Sequence, residues 1–139
     1  MNASHIIKLF VISYPIYLLI DFIWFGVLMQ DTYKHYLEPI SRTIGHTLQS
    51  RWPAAIIVWA LIVLGAIIFV LPRAVNTGLV YSFCWGALYG LVVYGTYNLT
   101  NYAILEQWPL AIVFIDSGWG MVANGILLVL LRWLSSYNS

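Results

Sequence analysis

Residues 53–71 read Pro-Ala-Ala-Ile-Ile-Val-Trp-Ala-Leu-Ile-Val-Leu-Gly-Ala-Ile-Ile-Phe-Val-Leu, an apolar run without a charge, closed by Pro72 and Arg73. At about 1.5 Å per residue, a helix of this length reaches about 28 Å, enough to cross the roughly 30 Å hydrocarbon layer of a bilayer. A strand of a membrane barrel would alternate apolar and polar side chains, and Ala54 to Val70 do not alternate. Three more windows of the same kind lie around it, roughly Ile6 to Met29, Leu79 to Tyr102 and Pro109 to Leu134. The expectation is an all-α fold, a polytopic transmembrane four-helix bundle, with residues 1–139 forming a single integral membrane domain.

The rest of the chain agrees. Of 139 residues, 62% are hydrophobic and 8% charged, whereas soluble domains carry about 25% charged residues. So few charges cannot cover a water-facing surface, so most of the exterior meets hydrocarbon and the lipid bilayer is the first partner. The net charge of +1 comes from six scattered basic residues, which excludes an electrostatic nucleic-acid partner. Cys84 is the only cysteine, so neither a disulfide framework nor a thiol metal cluster can form. No nucleophile elbow, phosphate loop or H-E-x-x-H pattern occurs, and no cofactor is expected. Lys8 followed by Leu9 to Ile20 resembles a signal peptide, but the apolar run continues to Met29 without a small-x-small cleavage pattern. It reads as a retained first span.

Pro53 and Pro109 occupy first-turn positions and Pro72 follows the second span, while Pro15 sits inside the first, where a kink is expected. Trp52, Trp108 and Trp133 stand at span ends as interfacial anchors. Lys8, Arg73 and Arg132 fall on the side of the termini, and Lys34, Arg42 and Arg51 fall in the first loop on the other side. The positive-inside rule is tied, and the charge nearest the first span tips it towards cytoplasmic termini. In the loop, residues 30–52, Ile40, Ile44 and Leu48 recur at helical spacing with Arg42, His46, Gln49 and Arg51 between them, which suggests a short interfacial helix. The stretch Trp52-Pro53-Ala54-Ala55-Ile56-Ile57 echoes Trp108-Pro109-Leu110-Ala111-Ile112-Val113, compatible with a duplicated helix pair.

Two acids, Asp21 and Asp116, lie inside spans. An ionised aspartate at a helix centre costs about 2.5–3.5 kcal/mol, so each should turn inward. At the helical rise, Asp21 lies about 12 Å in from Met29 and Asp116 about 10 Å in from Pro109, measured from one membrane face, which makes them level. Tyr94, Tyr97, Asn98 and Asn101 follow i, i+3, i+4, i+7 spacing near the same depth of the third span. No lysine or arginine shares this level, since Lys8 is about 20 Å away along its own helix. Neutralisation must come from protonation, from asparagine, tyrosine or tryptophan donors, or from an arginine such as Arg51 reaching down, and protonation with hydrogen bonding is the favoured combination.

Gly86 and Gly90 form a G-x-x-x-G face that lets another backbone approach, either within the chain or in a homodimer. Asp31, His35, Glu38 and Arg42 would share a helical face with His46 following, but Pro39 interrupts it and the spacing matches no zinc pattern, so no metal is expected.

The stretch Tyr94-Gly-Thr-Tyr-Asn-Leu-Thr-Asn-Tyr-Ala-Ile-Leu, then Trp108-Pro109, then Asp116-Ser-Gly-Trp119-Gly120, resembles the signature of a bacterial membrane-protein family, domain of unknown function 2177. Asp21-Phe-Ile-Trp24-Phe-Gly26 resembles the family's D-x-x-W-x-G, and the resemblance runs over almost the whole chain. It implies four spans in a bacterial cytoplasmic (inner) membrane and importance for Asp21, Trp24, Tyr97, Thr100, Asn101, Trp108, Asp116, Trp119 and Gly120, without assigning an activity. The family usually shows an aspartate where this chain has Asn98, so a mechanism needing three carboxylates does not carry over.

A candidate binding site therefore comprises Asp21, Trp24, Tyr94, Tyr97, Asn98, Asn101, Asp116 and Trp119. Three functions fit it: a small proton-linked transporter or permease, a membrane-embedded protein that binds or modifies a lipid or small-molecule ligand, and an accessory subunit whose polar layer only fixes helix register.

Overall fold

The computed structural model describes residues 1–44 and 47–137, so His46 lies outside the described residues. Four helices are long and apolar enough to cross a membrane: Ala3–Leu28, Trp52–Ala74, Leu79–Ile104 and Leu110–Tyr137. Each overlaps one of the apolar windows, with its ends moved by a few residues. The third has the lowest mean hydropathy, 1.3 against 3.1 in the second, because tyrosines, glycines, Ser82 and Trp85 interrupt its aliphatic residues.

The first span opens as α1 (Ala3–Ile23), whose N-cap Asn2 accepts the His5 N–H through its side chain at 2.9 Å. That bond satisfies one of the donors a helix start leaves open. α1 runs through Pro15 as a single helix and ends in a wider π-helical turn, Trp24–Leu28, in which the Met29 N–H reaches back five residues to the Trp24 carbonyl at 2.8 Å. The chain then turns at Met29 into α2 (Gln30–Leu37). The loop helix thus lies earlier than the spacing of Ile40, Ile44 and Leu48 predicts. Pro39 explains the difference: it lacks an N–H and crowds the residue before it, so the helix stops at Leu37. Beyond it, β1 (Thr43–Ile44) and β2 (Thr47–Leu48) pair antiparallel, Thr43 opposite Leu48 and Ile44 opposite Thr47, and the Gln49 N–H continues the ladder to the Arg42 carbonyl at 2.8 Å.

The second span comprises α3 (Trp52–Gly65), a π-helical turn Ala66–Val70, and α4 (Leu71–Ala74). Pro72 cannot donate to the turn before it, and the Arg73 guanidinium donates to the nearby Phe69 carbonyl. α5 (Leu79–Ile104) and α6 (Leu110–Tyr137) form the closest helix pair.

The α5–α6 seam follows from a four-residue period. Ser82, Gly86, Gly90, Tyr94 and Asn98 are all buried on α5, and Asp116, Gly120, Asn124 and Leu128 are all buried on α6. Rows at i, i+4 pack as ridges into grooves, and glycine lets the backbones meet. A Cβ on Gly86 would overlap the Asn124 carbonyl, one on Gly90 the Gly120 carbonyl, and one on Gly120 the Tyr94 ring. The G-x-x-x-G face is therefore engaged within the chain. Leu9, Tyr17, Val63, Ile67, Leu71, Leu127 and Leu131 fill the core between the spans, while Val11, Leu19, Phe69, Val80 and Phe114 point outward. An apolar exterior around a partly polar interior is the arrangement a bilayer requires.

Candidate functional site

Asp21 completes the last full turn before the π-helical segment of the first span, and its side chain is 0% exposed. Both carboxyl oxygens are engaged: Oδ1 accepts the Trp119 indole N–H at 2.8 Å and Oδ2 accepts the Tyr94 hydroxyl at 3.3 Å. The Trp59 indole of α3 also faces it. Asp116, on α6, is 7% exposed. Its Oδ1 accepts the Tyr33 hydroxyl at 2.9 Å, and its Oδ2 accepts a short hydrogen bond from the Asn98 amide. Every one of these donors is neutral, and among the described residues neither Arg51 nor any other cation bonds either carboxyl.

The two acids are joined on both sides. On one, the Asn98 amide donates to the Tyr94 carbonyl at 2.9 Å as well as to Asp116, and the Tyr94 hydroxyl reaches Asp21. On the other, Trp119 stacks on Trp24 with ring centroids 4.3 Å apart and planes 1° from parallel, and the Trp24 N–H points at the Tyr33 oxygen at 3.4 Å. The circuit Asp21, Tyr94, Asn98, Asp116, Tyr33, Trp24 and Trp119 therefore closes through three of the spans and α2. A branch leads away from the loop side: the Tyr94 and Tyr17 hydroxyls are 3.1 Å apart, and the Asn124 amide donates to Tyr17 at 3.2 Å and to the Gly120 carbonyl at 2.9 Å.

Helical geometry brings these groups together. Asp21 and Trp24, Tyr94 and Asn98, and Asp116 and Trp119 are spaced three or four apart, so each helix presents two side chains on one face. The third element, α2, follows the π-helical turn and directs Tyr33 inward, where it is 7% exposed. Burial, with the Asp116 carboxyl beside it, pushes the Tyr33 phenol above its ordinary value and keeps it a donor.

Six of the eight residues expected from the sequence meet here: Asp21, Trp24, Tyr94, Asn98, Asp116 and Trp119. Tyr97 and Asn101 do not. Tyr97 is 58% exposed and meets Trp108 edge to face at 5.7 Å, and Asn101 lies beside the Tyr97 hydroxyl rather than either carboxyl. The polar stripe divides: the face that meets α6 follows the four-residue row through Tyr94 and Asn98, and Tyr97 falls about 100° from Asn98 around the helix. Thr100 is exposed as well. Sequence reasoning missed Tyr17, Tyr33, Trp59 and Asn124. Tyr17 sits one turn before Asp21 and Asn124 one turn after Gly120, so helical spacing could have found both.

Among the described residues, three buried polar atoms on α5 and α6 have no hydrogen-bond partner: Asn98 Oδ1 and Asn124 Oδ1, whose amide nitrogens belong to the network, and Ser117 Oγ, next to Asp116 in the chain. They give the site spare capacity to bond a donor. Among the described residues, no three His, Cys, Asp or Glu side chains come together as metal ligands.

No curated protein and no solved structure matches the chain. The family described as "Predicted membrane protein (DUF2177)" matches residues 6–131, a range that holds the first span's Asp21 and Trp24, both α5 donors and the Asp116–Trp119 pair. The chain belongs to this DUF2177 family of predicted membrane proteins.

Proposed function

We propose that the chain is a small proton-linked transporter or permease of a bacterial cytoplasmic membrane, with both termini in the cytoplasm, in which Asp21 and Asp116 take up and release the coupling proton. One observation carries this reading: two buried carboxyls, from the first and last spans, are held by neutral donors alone. In a low-dielectric bundle, two like charges without a cation repel and are poorly solvated, so a proton is the available counter-charge. The hydroxyls of Tyr94 and Tyr17 extend the network one step further towards the termini, a chain along which a proton can be passed. Tyr33 covers the opposite end, and withdrawal of α2 would uncover Asp116 to the loop side.

A packing-only role is less well supported, because a network that merely fixes register is expected to be fully satisfied, whereas Asn98, Asn124 and Ser117 each keep an unmatched atom. A lipid-modifying role at the same acids has less support still, since Asp21 is 0% and Asp116 7% exposed. A homodimer would need a face other than Gly86 and Gly90, which α6 already occupies. The cytoplasmic assignment of the termini rests on Lys8, the positive charge near the N-terminal end of the first span.

The test is reconstitution into proteoliposomes with a trapped pH-sensitive dye. An imposed pH gradient should drive a protein-dependent proton flux that the double variant Asp21→Asn, Asp116→Asn abolishes while remaining folded. Equal flux through the double variant would refute the proposal.

A further inference from the structure

Tyr33 is the one buried residue of α2, and its hydroxyl ties that helix to the last span through the 2.9 Å bond to Asp116 Oδ1. The other residues of α2 all keep some exposure, Gln30, Asp31 and His35 the most. Otherwise α2 packs chiefly on the π-helical turn before it, where the Phe25 ring meets Tyr33 edge to face at 4.9 Å. Single π-helical turns recur at functional sites, and hinges are a few residues at the ends of elements. Met29 follows the turn with φ −119° and ψ 10°, outside the helical region, so the first span and α2 meet at a joint rather than as one rod.

Both Asp116 oxygens already accept, Oδ1 from Tyr33 and Oδ2 from Asn98. A proton arriving on the carboxyl takes one of those two places. The Asn98 amide is anchored by its second bond, to the Tyr94 carbonyl at 2.9 Å, inside the α5–α6 seam. Tyr33 stands on the short helix outside the spans, so it is the donor that gives way. Reversing its bond, with the phenol oxygen accepting from a protonated carboxyl, would leave the phenolic hydrogen buried without an acceptor, because the other group at that oxygen, the Trp24 indole N–H, is itself a donor. We infer that the Tyr33–Asp116 hydrogen bond is a proton-operated latch: ionised Asp116 holds α2 over the site, and a proton on Asp116 releases it about the joint at Trp24–Met29. The inference rests on the proton-linked reading and adds to it the contact through which the proton governs opening on the loop side. The titratable groups that face Asp116 are Tyr33 from α2, Asp21 from the first span, and Tyr94 and Tyr97 from α5.

The test is the position of α2 against the protonation of Asp116. Spin labels at His35→Cys and Asn76→Cys, both exposed positions, in a Cys84→Ser background report the distance from α2 to the opposite end of the bundle by double electron–electron resonance, with the full chain in lipid. The ratio of withdrawn to docked α2 should rise about tenfold as Asp116 gains its proton, the scale by which a hydrogen bond to a charged acceptor outweighs one to a neutral acceptor. The proton is followed in the same labelled chain by the part of the carboxyl carbonyl stretch that Asp116→Asn removes. Tyr33→Phe should hold the raised ratio at every pH while keeping that stretch, and Asp116→Asn should hold it without the stretch. Asp31, Lys34, Tyr36 and Glu38 remain in every variant, so a pH response of their own would survive both substitutions. A ratio that stays level while Asp116 takes up its proton, or a pH response that survives in Tyr33→Phe or Asp116→Asn, would overturn the latch and leave proton linkage standing. A carboxyl at position 116 that never protonates would remove proton linkage and the latch together.

Discussion

Trp119 contributes twice to the site, through the N–H it donates to Asp21 and through the ring it stacks on Trp24. Trp119→Phe separates the two contributions, keeping a ring while leaving Asp21 Oδ1 unmatched. The expected cost is about 1–3 kcal/mol, the penalty of a buried acceptor without its donor, seen as a lower melting temperature in detergent. Tyr33→Phe should cost a similar amount at neutral pH, and its effect should depend on pH. Because the folded protein holds the Tyr33 phenol above its ordinary value of 10.0, the stability tied to its proton is fully present below that value. It is lost as pH rises past it, while the phenol of the unfolded chain ionises first. The stability gap between native chain and Tyr33→Phe should therefore shrink above about pH 10, by about 1.4 kcal/mol per unit, as read by denaturation at stepped pH. The side chains legible in the sequence were those fixed by helical spacing inside spans, Asp21 with Trp24 and Asp116 with Trp119. Tyr33 was not, because its direction depends on how the chain turns after Leu28, and no periodicity crosses that turn.

The α5–α6 pair is the element on which the site depends, since it supplies Tyr94, Asn98, Asp116 and Trp119 from two backbones in contact. Its close approach rests on Gly86, Gly90 and Gly120. Gly90→Ala places a methyl group on the Gly120 carbonyl and should force the helices apart at a cost of about 1–3 kcal/mol, as overpacking does. Gly118→Ala meets nothing within 4 Å, and it should be neutral or stabilising by up to about 1 kcal/mol from helix propensity. Comparing the two melting temperatures separates loss of the seam from a general intolerance of alanine. The four spans and the G-x-x-x-G face were legible because length, hydropathy and small-residue spacing are local properties. The partner of that face was not, because a glycine pair says that a backbone comes close without saying which one. The loop does hold a short helix, but beyond Leu37 the spacing of Ile40, Ile44 and Leu48 does not decide the structure: Pro39 ends the helix, and the β1–β2 pairing with the Arg42–Gln49 bond follows.

Across the whole molecule, an apolar exterior encloses a polar circuit that ties the first span to the last, with α2 closing it on one side. The account rests on those two carboxyls exchanging a proton rather than remaining ionised as fixed structural acceptors. Infrared difference spectroscopy of the protein in lipid, stepped through pH, reads this directly, because a protonated carboxyl shows a carbonyl stretch that a carboxylate lacks. The native chain should show a protonated-carboxyl band that grows and fades with pH; the part contributed by Asp21 and Asp116 should be diminished in Asp21→Asn or Asp116→Asn alone and missing from the double variant, which keeps only the contribution of Asp31, Glu38 and Glu106. A spectrum in which both aspartates stay ionised at every pH, or in which the band persists unchanged in the double variant, would contradict the account.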